Sequence, residues 1–279
     1  MFQFPAYVSV WGRIGRLAHL AASLLILLFL ILPVLAIIPL SFNAVPYFSY
    51  PLEGLSLRWY EDFLASPVWM LALKNTLIVG VASTLLATAL GLAAALGLQH
   101  PRLPYKTWIN GILISPIIVP LVITGVGVYF AFSPMGLVNS LWGLILAHAA
   151  LGAPFVVITV SATLAGFNEN LTRAGRSLGA SPMRVFWQVK LPLVAPGVIS
   201  GALFAFATSF DELVVALFVS GPDQRTVPRQ MWAGIREQLS PTILAVATVL
   251  VVASTLFLVT LELLRRRTER LRGSFGAHG

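Results

Sequence analysis

Six apolar runs, each long enough to cross a lipid bilayer, leave this sequence almost no route to a water-soluble globular fold. The hydrocarbon core of a bilayer needs about 20 helical residues at about 1.5 Å each. The runs are Leu17–Leu40, Met70–Leu98, Ile109–Phe132, Val138–Ala165, Pro196–Val219 and Pro241–Leu264. With 58% of the 279 residues hydrophobic and only 10% charged, there are too few polar side chains to cover a surface facing water. The expected fold class is all-α, a polytopic membrane protein with six transmembrane helices. Residues 1–16 precede a membrane domain over 17–264, and a basic tail occupies 265–279. Arg13 and Arg16 ahead of the first run resemble a secretory signal, but the run exceeds the apolar region of about 7–15 residues such signals carry. No small-residue cleavage site follows, so a retained first span is expected. The sequence has no cysteine, which excludes disulfide and thiolate chemistry.

Six spans put both termini on one side, and the charges say which side. With the termini inside, the inner segments hold Arg13, Arg16, Arg102, Lys106, four basic residues between 173 and 190, and five between 265 and 272. The outer segments hold Arg58, Lys74, Arg225, Arg229 and Arg236. The positive-inside rule therefore makes both termini cytoplasmic, in the cell (inner) membrane. The net charge of +8 is a topology signal. No nucleic-acid partner is expected, because the basic residues are scattered over four segments without a binding motif. Arg265-Arg266-Arg267 reads as a stop-transfer anchor, with anionic membrane lipid as the alternative partner.

Within the spans, Ser83, Ala87, Gly91 and Ala95 recur every four residues, a stripe of small side chains that lets another helix approach closely. The third span contains Pro116 and Pro120, each of which removes an amide donor and kinks a helix; a broken helix lining a cavity and simple kinked packing both fit. His148 lies inside the fourth span with no second histidine or carboxylate at helical spacing. A hydrogen-bonded packing role fits it better than proton transfer.

Residues 166–195 form the only long polar stretch between spans on the inner side. Leu171, Ala174, Gly175 and Leu178 fall at i, i+3, i+4 and i+7, one face of a short helix, with Arg173 and Arg176 off that face. Gly179 suits the left-handed residue that ends a helix. Ser181-Pro182 then reads as the cap and first residue of a second helix running to about Val189, after which Leu191-Pro192 turns the chain back into the bilayer. Ala174 and Gly175 give that face a small-residue surface suited to a groove on another protein. Periodicity by itself is equally consistent with an amphipathic helix in the headgroup layer. The glycine corner and the proline favour a rigid projecting element.

These residues resemble the EAA loop of binding-protein-dependent ABC-importer permeases, with the pattern Glu-Ala-Ala, three residues, Gly, nine residues, Ile, one residue, Leu-Pro. Arg173-Ala174-Gly175, Gly179, Val189 and Leu191-Pro192 keep the spacing. Arg173 replaces the acid, Gly175 the second alanine and Val189 the isoleucine. The likeness covers nearly the whole chain and is greatest to the second permease of spermidine/putrescine importers. It runs through Trp59-Tyr60, Ser115-Pro116, Pro154-Phe155-Val156-Val157, Ser209 to Val215, and Phe218 to Pro222. The resemblance implies a type I ABC-importer permease fold and a complex with a second permease subunit, two ATPase subunits docking on residues 171–190, and an extracytoplasmic solute-binding protein. ATP and Mg would be bound by the ATPase subunits and no cofactor, metal or catalytic residue by this chain. In agreement, the sequence has no phosphate-binding Gly-x-x-x-x-Gly-Lys-Ser/Thr loop; its only lysines are Lys74, Lys106 and Lys190.

Asp211 and Glu212 are the most unusual residues inside a span. Counted along a helix from Pro196, Asp211 lies about 22 Å in, in the outer half of the membrane. A charged side chain at a helix centre costs about 2.5–3.5 kcal/mol on insertion scales, so it faces a cavity or a partner. Neighbouring positions on a helix point about 100° apart, which argues against a two-carboxylate clamp. Asp211 is expected to line the path and attract cations, and Glu212 to support a neighbouring helix; interface pairing with a partner subunit is the alternative. Phe210 offers a cation–π face, although packing is the commoner role. The expected cargo is a small cation such as spermidine or putrescine. Ile117 stands where such relatives carry an acid after Ser115-Pro116, which keeps an opine, an amino-acid-like compound or another small solute open. An ion-coupled secondary transporter using Asp211, Glu212 or His148 is the competing class.

Overall fold

The computed structural model describes residues 10–256 except 238, together with 259; the basic tail and the end of the sixth run lie outside the described residues. The chain divides into two units, residues 67–233 and the segments on either side of them.

In the flanking unit, helix α1 (Val10–Leu40) carries no charged residue after Arg16 and is apolar on every side from Leu24 onward. Its side chains from Leu24 to Phe29 are exposed, as suits a surface in lipid. The chain then folds back on itself. Asn43 bridges antiparallel to Leu55, and Trp59 in α2 (Arg58–Ala65) donates its indole N–H to the Asn43 carbonyl at 2.6 Å. Tyr60 Oη and Ser41 Oγ are 2.6 Å apart, and the Tyr60 ring lies against Phe42. The buried side of α2, Trp59 and Phe63, is thus explained by the loop it covers. Helix α2 was not expected from the sequence, because eight residues are too short to show a clear period. Later in the chain the sixth run is represented by an apolar helix, Thr242–Leu256, in its described part.

The central unit is built on three long helices in mutual contact: α3 (Pro67–Leu98), α6 (Leu141–Ala165) and α9 (Leu191–Phe210). Pro67 opens α3 at a position where its missing amide costs no helical bond. The Ser140 hydroxyl caps α6 by accepting from the Gly143 amide at 2.9 Å. The stripe Ser83, Ala87, Gly91 and Ala95 is buried along its whole length. A β-carbon on Gly91 would come within 2.6 Å of Val156 on α6, so only hydrogen fits there. On the opposite contact, a β-carbon at Gly201 of α9 would meet the Thr159 hydroxyl at 2.5 Å.

The third run is not one span of even direction. It divides into α4 (Lys106–Ile118) and α5 (Leu121–Phe132), bent by 108°. Val119 is extended, ψ 132°, because Pro120 excludes the helical conformation from the residue before it. The fifth run likewise breaks: α9 stops at Phe210, and α10 (Val214–Val219) begins after a gap of three residues. Among the described residues four helices are long and apolar enough to span a membrane, five if the bent pair counts as one.

Candidate functional site

Two places in the central unit hold the candidate residues. The first is the loop between α6 and α9. Helix α7 (Glu169–Ser177) starts with the Asn168 side chain accepting from the Asn170 amide. It ends in a left-handed glycine, Gly179 at φ 82°. The Ala180 amide bonds the Gly175 carbonyl at 3.2 Å and the Gly179 amide bonds the Arg176 carbonyl at 2.9 Å. This pair of reverse bonds is the Schellman end expected of a glycine corner. Ser181 then caps α8 (Pro182–Val185) by accepting from the Arg184 amide, with Pro182 as the first helical residue.

Two expectations for this loop need correction. Leu191-Pro192 does not turn the chain. A π-turn over Phe186–Lys190 leads straight into α9, because a proline in the first turn of a helix leaves no bond unmade. The second half of the loop is therefore the rising base of α9. Gly175 does not belong to an outward face either: it rests on Val185, where a β-carbon would meet the Val185 side chain at 3.2 Å. Leu171, Ala174 and Leu178 are exposed, as are Arg173 and Arg176.

Glu169 was missed in the sequence. Its carboxylate accepts from Lys190 Nζ at 2.9 Å, 21 residues away, joining the start of α7 to the base of α9. The lysine lies over the Phe167 ring as well. The hydrogen bond from Lys190 holds the Glu169 carboxyl below its ordinary range. The acid absent at position 173 thus has a counterpart one turn earlier, already engaged within the chain.

The second place is the gap between α9 and α10. The residues there do not share one helix. Asp211 ends α9, about 30 Å up from Leu191, with its side chain exposed. Glu212 is buried and bends back onto its own chain: its two oxygens accept from the Val215 and Ala216 amides at 2.7 and 2.9 Å. Its hydrogen bonds go to the start of α10, since the helix break frees those amides. The two acids diverge, as expected, but through burial and a broken helix rather than through the 100° step. Phe210 is half-buried and stacks on Phe206, with centroids 5.7 Å apart.

His148 proves to be part of this place. It is 1% exposed; Nδ1 is 2.8 Å from Ser209 Oγ, and Nε2 is 3.5 Å from Glu212 Oε2. The hydrogen-bonded packing expected for it is present. Its carboxylate neighbour comes from the gap between α9 and α10, which spacing along the fourth span could not reveal.

The family described as "Binding-protein-dependent transport system inner membrane component" matches residues 87–270, which include both places. The chain belongs to this family. The permease is 31% identical over 257 residues to the putrescine transport system permease protein PotI of Escherichia coli, covering 88% of this chain and 90% of that one. It is 29% identical over 263 residues to the spermidine/putrescine transport system permease protein PotC of Escherichia coli, covering 94% and 98%. A crystal structure of a bacterial ABC transporter that imports alginate shares its fold, with a TM-score of 0.72 over 94% of this chain and 99% of that one, at 15% identity. The permease is therefore a multi-pass inner-membrane transport subunit of an ABC importer, and ATP hydrolysis belongs to separate subunits.

Proposed function

We propose that this permease carries a small organic cation of the polyamine type, with Asp211 lining the path, and that the loop over residues 166–190 transmits the drive from ATPase subunits. The complex would contain a second permease, two ATPase subunits holding ATP and Mg, and an extracytoplasmic solute-binding protein. Both termini would be cytoplasmic, following the distribution of basic residues.

The observation behind the cargo reading is the exposed Asp211 at a helix break. A carboxylate kept in an apolar span without burial needs a reason, and attraction of a passing cation supplies one. Phe210 contributes packing through Phe206. The polyamine class is suggested by the names of the relatives, PotC and PotI.

Leu171, Ala174 and Leu178 form the apolar part of the docking surface. Arg173, Arg176 and Arg184 are exposed around it, while Glu169 is neutralised by Lys190. A groove that accepts this loop would have to be acidic at its rim. Gly175 and Gly179 shape the loop from within, and Leu191-Pro192 anchors it to α9.

The test is Asp211→Asn in the complete importer reconstituted in liposomes with its loaded binding protein. Uptake of spermidine is expected to fall about tenfold, the factor that corresponds to about 1.4 kcal/mol on a barrier. Calorimetry of the binding protein identifies the cargo directly. Unchanged uptake by Asp211→Asn would sink the path assignment.

A further inference from the structure

Four polar side chains from three helices and the α9–α10 gap meet in the apolar interior of the central unit. Ser83 on α3 is 3.0 Å from Ser209 on α9, and Ser209 is 2.8 Å from His148 Nδ1 on α6. His148 Nε2 faces Glu212 Oε2 at 3.5 Å, and Glu212 holds the first amides of α10. All four residues are at most 5% exposed. Polar groups buried this deeply ordinarily have partners, and Nε2 of His148 is the one side-chain polar atom of the four residues without a hydrogen bond.

With Glu212 ionised, the donors and acceptors favour one order. A carboxylate only accepts, so the nitrogen facing Glu212 must carry hydrogen or two electron-rich atoms would oppose each other. With hydrogen on Nε2, Nδ1 of a neutral ring is an acceptor. Ser209 then donates to Nδ1 and accepts from Ser83. Hydrogen bonds run from Ser83 through Ser209 to His148, whose Nε2 stands 3.5 Å from Glu212 Oε2 without completing a hydrogen bond.

We propose that His148 is a positioning residue for transport, holding the α9–α10 gap, and with it Asp211, to α6 through Ser209 and Glu212. The gap needs such a holder. The helical ladder is interrupted after Asp211, whose amide still bonds the Ala207 carbonyl, and Asp211 sits between two residues, Ser209 and Glu212, that His148 approaches. The proposal rests on the reading of Asp211 as a path residue.

The experiment uses the complete importer with isotope-labelled permease among unlabelled partners, and His19, His100 and His278 replaced so that His148 gives the only histidine signal. Nitrogen NMR is expected to show a neutral ring with hydrogen on Nε2; hydrogen on Nδ1 overturns the proposal. In parallel, solute imported per ATP hydrolysed is measured for two variants. His148→Met keeps the volume but no donor, and the ratio is expected to drop about tenfold, as for a buried polar partner left unpaired. His148→Gln returns an amide N–H near Nε2 and is expected to recover most of the ratio. Equal ratios for Met and wild type mean that His148 only packs, and the proposal fails. Should His148→Met not assemble, Ser209→Ala replaces it: a lowered ratio and a mixed ring state support the proposal, and an unchanged spectrum overturns it. A defective Asp211→Asn beside a normal His148→Met defeats only the positioning role. A normal Asp211→Asn defeats the path reading and the transport role of His148, while the NMR result still reports the bond order.

Discussion

Gly179 shows how much a single residue determines when the physics is local. Its φ of 82° lies in the left-handed region, which costs other residues about 1–2 kcal/mol because a β-carbon crowds the following carbonyl. No neighbouring atom lies within 4 Å of where that β-carbon would sit, so a substitution there is penalised by backbone conformation rather than by a clash. Gly179→Leu is expected to assemble and yet to lose most stimulation of ATP hydrolysis by the loaded binding protein, because the corner would open. Full stimulation in that variant would show that the corner has no part in coupling. This residue was readable in the sequence, as were the cap Ser181 and the first helical residue Pro182, since capping involves residues within one turn. Gly175 was not: its neighbour Val185 arrives only after the corner has folded the second helix back.

At the scale of elements, the small-residue stripe of α3 was legible and so was the presence of prolines in the third run. What the stripe touches was not. Gly91 faces Val156 on α6, whereas a β-carbon on Gly97, six residues later, would meet no atom within 4 Å. Gly91→Val should therefore lower the thermal midpoint of the purified protein by overpacking, at a cost of about 1–3 kcal/mol. Gly97→Val serves as the control, with only a small change from helix propensity. Equal shifts for the two would contradict the close approach of α3 and α6. The breaks divide in the same way. Pro120 announces the one between α4 and α5, because proline restricts the residue before it. No proline or glycine announces the break after Phe210; it depends on the Glu212 carboxylate taking the amides of α10, a contact that composition does not reveal.

As a whole molecule, this chain has the spans of a pore and lacks the phosphate-binding loop of a motor. The permease placed by itself in liposomes is expected to give no solute uptake above empty vesicles, under an ion gradient or with ATP. Uptake should appear only when ATPase subunits, the second permease and the loaded binding protein are present. Gradient-driven uptake by the isolated chain would revive the ion-coupled class. The sequence by itself determined the membrane class, the apolar runs and the glycine corner, because hydropathy and capping act over one helix or one turn. Only the tertiary structure decided that Glu169 holds Lys190, that Glu212 turns away from Asp211, and that His148 lies between Ser209 and Glu212. Those contacts link residues brought together by helix packing, from 21 to 64 positions apart where they cross between helices, and no periodicity along one segment encodes them.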